Sequence, residues 1–117
     1  MELFPEATDV EVNETKYCLD EYKRFKKIVN ELGRKEHLTD EQQEKYKAAK
    51  DFTDLFERVV SLIPEDDVRK IVEKRYISGE PFKIVVLHFS SIMHPDTVNE
   101  KLKKGIRTVA NTIKDIS

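Results

Sequence analysis

The chain has 117 residues, enough for one domain with a modest core. Charged and hydrophobic residues each make up 38%, with three glycines, four prolines and no Trp, which speaks against both a disordered chain and a turn-rich all-β fold. The net charge of −2 is divided unevenly: residues 1–67 hold 11 Lys+Arg against 18 Asp+Glu (−7), and residues 68–117 hold 10 against 5 (+5). A basic part joined to an acidic one is a reason to look for a polyanion partner.

Cys18 is the one cysteine, so neither an internal disulfide nor an all-cysteine zinc site is available, and a small packing residue in a reducing cytoplasm is expected. The N-terminal stretch MELFPEATDVEV is acidic and lacks an apolar run, so no signal peptide is expected, and no membrane span either.

Residues 1–12 read as a flexible acidic tail. From about Asn13 a helix is expected, with Cys18, Tyr22, Phe25, Val29 and Leu32 stepping by 4, 3, 4 and 3 in a narrow seam that either packs on a neighbouring helix or dimerises. Gly33 is its stop. Thr39 and Gln42 form a capping-box pattern for a second helix that runs to Leu62 or Ile63. Its apolar stripe is Tyr46, Ala49, Thr53, Phe56, Val60 and Ile63, widened by Phe52, Leu55, Val59 and Leu62.

Pro64 ends that helix and opens the next, where Glu65, Asp66 and Asp67 suit the positive end of the helix dipole. Val68, Ile71, Val72 and Tyr76 face inward before Ser78-Gly79 stops the run. Pro81 opens a short helix, Phe82 to Phe89. Its run IVVLHF also has strand propensity, but the flanking turn signals favour a helix. The last helix starts at Pro95, with Val98, Leu102, Ile106, Val109 and Ile113 on its buried side. The expected fold is therefore all-α: about five helices, with a long antiparallel pair (13–63) followed by a three-helix unit (64–117).

The last two helices have the pattern of a helix-turn-helix. His94 stands at the cap of the second helix, Pro95 at its first position, and Met93 just before the turn as a plug between the helices. With Val98 and Leu102 inward, Asp96, Asn99, Glu100 and Lys103 face outward near the N-terminus. Asn99 can pair bidentately with adenine, and Lys103 can reach guanine or phosphate. Lys101, Lys104 and Arg107 flank them as phosphate contacts. Asp96 and Glu100 oppose binding unless they accept from cytosine or a neighbouring lysine.

These residues resemble a family. The run IPEDDVRKIVEKRYISGEPFKIVVLHF followed by MHPDTVNEKLKKGIRTVANTI is similar to the region-four helix-turn-helix of bacterial sigma factors. Ile63-Pro64, Tyr76 to Gly79 and His94 to Val98 fill the places of its Leu-Pro start, Tyr-x-x-Gly stop and Ser-x-x-Thr-Val recognition start. With the upstream TKYCLDEYKRFKKIVNEL, the layout resembles phage-encoded transcriptional regulators of the ArpU and RinA type over residues 14–114. Three departures stand out: His94 in place of Ser, Val86 in place of a small Ala, and a turn about two residues longer.

The resemblance implies a sequence-specific transcriptional regulator of phage or prophage origin that binds double-stranded DNA. Its recognition contacts would be Asp96, Thr97, Asn99, Glu100 and Lys103, with Thr97 near phosphate at the helix N-terminus and Lys83 reaching the backbone from the preceding helix. Host RNA polymerase is a second expected partner, and the N-terminal helix pair is expected to dimerise or to touch the polymerase.

His37, His88 and His94 stand in three different settings, and no phosphate loop or nucleophile elbow is visible, so no enzyme activity, metal or cofactor is expected. Two other readings stay open. One is a sigma-mimicking adaptor that binds RNA polymerase or another regulator; the other is a small-terminase-like DNA-packaging subunit, which would form a ring-sized oligomer.

Overall fold

A computed structural model describes residues 3–117, and among them every regular element is helical. The chain runs α1 (Asp9–Gly33), α2 (Asp40–Ser61), α3 (Asp66–Val72), a π-helical turn (Glu73–Ile77), α4 (Phe82–Phe89) and α5 (Pro95–Ile116). The expected five-helix, all-α architecture is the one observed, and IVVLHF is helical rather than extended.

The first helix starts earlier than its apolar seam suggests. Thr8 Oγ1 accepts from the Glu11 N–H at 3.2 Å, and Glu11 Oε1 accepts from the Thr8 N–H at 2.8 Å. That reciprocal pair satisfies two N–H groups that a helix start otherwise leaves orphaned. Residues 9–12, expected to form part of a tail, are therefore helical. Ala7 just before them is buried, and its N–H donates to Asn111 Oδ1 at 2.7 Å, which ties the segment to α5. Residues 1–2, the start of that expected tail, lie outside the described residues.

Helices α1 and α2 form an antiparallel hairpin. The deepest side chains of α1 are Thr15, Leu19 and Tyr22, so the buried stripe shares Tyr22 with the expected seam and adds Thr15 and Leu19, while Cys18, Phe25, Val29 and Leu32 are half-buried. Phe25 packs on Phe52 with ring centroids 4.7 Å apart, and Phe52 on Phe56 at 4.8 Å. Part of the seam is thus covered within the chain. Thr39 and Gln42 form the expected capping box of α2.

After the π-helical turn, Gly79 takes φ +74°, a conformation that side chains disfavour, and turns the chain into α4. Helix α4 buries Val85 and Phe89. Its other side leaves Leu87 67% exposed, and Ile92 in the following turn 73% exposed. The five residues 90–94 are not an open loop: the Ile92 and Met93 N–H groups both donate to the Phe89 carbonyl, at 3.1 and 2.9 Å. The extra length of the turn is taken up as a continuation of the helical path.

Helix α5 buries Val98, Leu102, Ile106 and Val109 as expected. It also buries Gly105, because a Cβ there would lie 2.3 Å from Val72 Cγ2 and 3.1 Å from Val68 Cγ1. The glycine lets α5 approach α3 more closely than any side chain would allow. One cluster of buried side chains runs from Leu19 to Val109 and draws on all five helices. Each aliphatic side chain fully buried in it contributes about 1.5–3 kcal/mol over exposure.

Candidate nucleic-acid interface

The start of α5 is built locally. His94 is extended and caps the helix, its Nδ1 accepting from the Asp96 N–H at 3.1 Å. Pro95 follows at the first helical position, where its missing N–H costs nothing. Asp96, Thr97 and Glu100 are exposed on the first turns, whereas Asn99 is half-buried.

The candidate side chains divide between two hollows on either flank of α5. Asp96, Thr97, Glu100, Lys101 and Lys104 line a shallow depression. Asn99, Glu100, Lys103, Lys104 and Arg107 line a cleft of about 580 Å³ whose other wall is α1, through Val12, Asn13 and Lys16. Glu100 and Lys104 form the ridge between them. Lys83, on α4, borders neither hollow.

The electrostatics are the unexpected part. Lys101 Nζ donates to Asp67 Oδ2 at 2.6 Å, Lys104 stands 3.3 Å from Glu65, and Arg107 stands 3.3 Å from Asp9. Each expected phosphate contact on α5 thus faces a carboxylate supplied by another part of the fold. Lys103 lies 4.0 Å from Glu100 on its own helix. Lys83 is the one candidate cation with no carboxylate partner among the described residues.

The hydrogen bond from Lys101 holds the Asp67 carboxyl below its ordinary range, aided by the Val68 N–H. Glu65 is set differently: its Oε1 faces Lys104, while its Oε2 is buried with no hydrogen-bond partner among the described residues. Further along α5, Lys114 donates to Glu11 at 2.8 Å and is the main cause of that carboxyl falling to about 2.

Compared with known proteins, the chain matches no family model, no curated protein and no solved structure. The site rests on its own geometry.

The structure therefore brings Asp96, Thr97, Asn99, Glu100, Lys101, Lys103, Lys104 and Arg107 onto one helix and leaves Lys83 apart. Sequence reasoning missed the carboxylates that face the basic row and the α1 wall of the cleft. One signal was present: Thr8 and Glu11 carry the same capping-box spacing as Thr39 and Gln42, and recognising it would have placed Asp9 in a first helical turn. That Asp9 then meets Arg107 depends on tertiary packing. His88 is exposed, with its ring edge-on to Phe89 at a centroid distance of 4.8 Å. Cys18 is a free, half-buried thiol raised above its ordinary pKa by burial and then by Glu14 and Glu21.

Proposed function

We propose that this chain is a sequence-specific DNA-binding transcriptional regulator of phage or prophage type that reads double-stranded DNA with the first turns of α5. The observation that carries this reading is the start of α5. A capped, proline-led helix follows a short helix and a five-residue turn, and presents Asp96, Thr97, Glu100 and Lys103 to solvent. Lys101, Lys104 and Arg107 follow along the same helix within reach of a phosphate backbone. The chain's basic half supplies these cations, and the resemblance of Ile63 to Ile113 to region four of sigma factors points the same way.

The test is fluorescence anisotropy of a labelled mixed-sequence duplex at low and moderate salt, with wild type and with Asn99→Ala/Lys103→Ala. Binding that weakens steeply with salt and is reduced in the double variant is the expected result. Absence of binding at low salt overturns it.

A second reading, a protein-binding adaptor that contacts RNA polymerase or another regulator, is favoured by one observation. The outer side of α4 and the turn expose Ile84, Leu87 and Ile92, apolar side chains that DNA would leave wet. Leu87→Asp separates the two readings: it leaves duplex binding unchanged and abolishes co-purification with RNA polymerase if the adaptor reading holds.

A further inference from the structure

Three cations stand at every third residue of α5, Lys101, Lys104 and Arg107, over about 9 Å of helix axis. Each is met by a carboxylate from the acidic half: Asp67 and Glu65 at the entry to α3, and Asp9 in the first turn of α1. Helix α2 pairs its cations differently, by i,i+4 steps within the helix, as in Lys47–Asp51 and Lys50–Asp54. The row on α5 is instead matched one for one by groups brought from two separate elements.

We propose that Asp9, Glu65 and Asp67 set the DNA affinity of this interface by occupying the positions that backbone phosphates would take. The proposal rests on the DNA reading above. A carboxylate and a phosphate oxygen satisfy an ammonium or guanidinium in the same way, as charged acceptors of short hydrogen bonds. DNA must displace the carboxylates before it gains those three contacts, and the displaced carboxylates then attract cations of their own. Both effects reduce the net release of counterions that drives association with any duplex. Contacts to base edges escape this competition, so occupancy on DNA of arbitrary sequence is suppressed and base contacts decide where the protein stays. The exchange is most open at Arg107–Asp9, where the side chains are 49% and 91% exposed, and least open at Lys101–Asp67, where they are 31% and 42% exposed.

The substitutions that test it are Asp9→Asn, Glu65→Gln and Asp67→Asn together. They keep shape, and at position 67 they keep an oxygen able to accept from the Val68 N–H. A charge-matched control, Glu31→Gln/Glu36→Gln/Glu44→Gln, removes three carboxylates around the α1–α2 connection, at the end of the hairpin away from the α1 residues that meet α5. Anisotropy with a mixed-sequence duplex is measured across salt for wild type, the triple variant, the control, and the triple variant carrying Lys101→Ala/Lys104→Ala/Arg107→Ala. Circular dichroism checks that each is folded.

The expected result is binding tighter by about tenfold at about 50 mM salt for the triple variant, with a slope in log salt steeper by up to about 2.7, or about 0.9 for each cation freed. The control stays near wild type, and the added alanines cancel the gain. Equal gains in control and triple variant, or an unchanged triple variant beside a binding wild type, overturn the proposal and leave the DNA reading standing. If neither wild type nor triple variant binds at any salt, the DNA reading falls and this proposal falls with it.

Discussion

Helices α2 and α5 are both 22 residues long, yet they handle charge in opposite ways. On α2 the pairs Glu41–Lys45, Lys47–Asp51 and Lys50–Asp54 are local, exposed, and made by any chain that forms the helix. On α5 four of the five cations reach carboxylates far away in sequence, Asp67, Glu65, Asp9 and Glu11, and only Lys103 stands near a carboxylate of its own helix, Glu100. A local pair reports only that a helix is present. A distant pair reports how helices are docked, and on α5 it sets a negative group from another part of the fold beside each cation of the row Lys101, Lys104 and Arg107. The uneven charge that the sequence shows as two blocks becomes, in three dimensions, one block lying on the other.

The most forceful way to break the contrast is at Gly105. Alanine there is favoured within a helix by about 1 kcal/mol. Its methyl group would nonetheless sit 2.3 Å from a methyl of Val72, a fully buried and β-branched residue with little room to move. Overpacking wins: Gly105→Ala is expected to lose about 1–3 kcal/mol net in thermal or urea unfolding. Because the strain falls between α3 and α5, the Lys101–Asp67 pair should loosen as well. A variant as stable as wild type would show that the two helices are not held at this distance.

A smaller loss is expected at the start of α1. Thr8→Ala removes the side-chain half of the capping box and should cost about 1 kcal/mol in chemical unfolding, similar to Thr39→Ala at α2. The two differ in their reach. Thr8 holds the turn that carries Asp9 and Glu11 against α5, so its loss should also broaden the NMR resonances of Arg107 and Lys114. Thr39→Ala should leave those resonances sharp.

Glu11 makes the comparison sensitive to acid. Its carboxyl lies at about 2 in the folded chain, against 4.5 ordinarily, chiefly through Lys114 and then through Thr8. A depressed pKa means that its stabilisation is present above the ordinary value and is lost as pH falls from about 4.5 to about 2. Glu11→Gln should therefore be less stable than wild type at neutral pH, and the two should converge in urea unfolding near pH 2. A constant difference across that range would mean the ion pair is not the cause.

The smallest effect belongs to the local pairs. A double-mutant cycle on Lys47 and Asp51, both well exposed, should give a coupling of at most about 0.5 kcal/mol that vanishes in high salt.

Most of the fold was legible in the sequence because its signals are local. Pro64, Pro81 and Pro95 mark three helix entries, Thr39 with Gln42 marks a fourth, and the stripe Val98, Leu102, Ile106, Val109 names the buried side of α5 without help from the rest of the chain. The errors lie where a local pattern competes with a tertiary one. The 4-3-4-3 spacing from Cys18 to Leu32 is real, but α1 packs on α2, on α5 and on the π-helical turn, and so buries Leu19 as well. The acidic start read as a tail because no apolar stripe runs through it, although Thr8 and Glu11 already carried a cap. At the candidate site, the side chains on one helix could be named in advance. The carboxylates opposite them could not, because 34 residues separate Asp67 from Lys101 and 98 separate Asp9 from Arg107, and no periodicity spans such distances.

The glycine under Val72 also limits how α5 can move. A helix seated by a missing side chain is keyed to one axial position: sliding or rolling α5 by a residue would bring Lys104 or Ile106 beneath the valine methyl. α3 and α5 are therefore expected to move together, with any rearrangement taken up by the 90–94 segment and α4. Amide exchange gives the signature to look for, with slow exchange through the facing residues of α3 and α5, and faster exchange at Ser91 and His94 than at Ile92 and Met93, whose N–H groups donate to the Phe89 carbonyl.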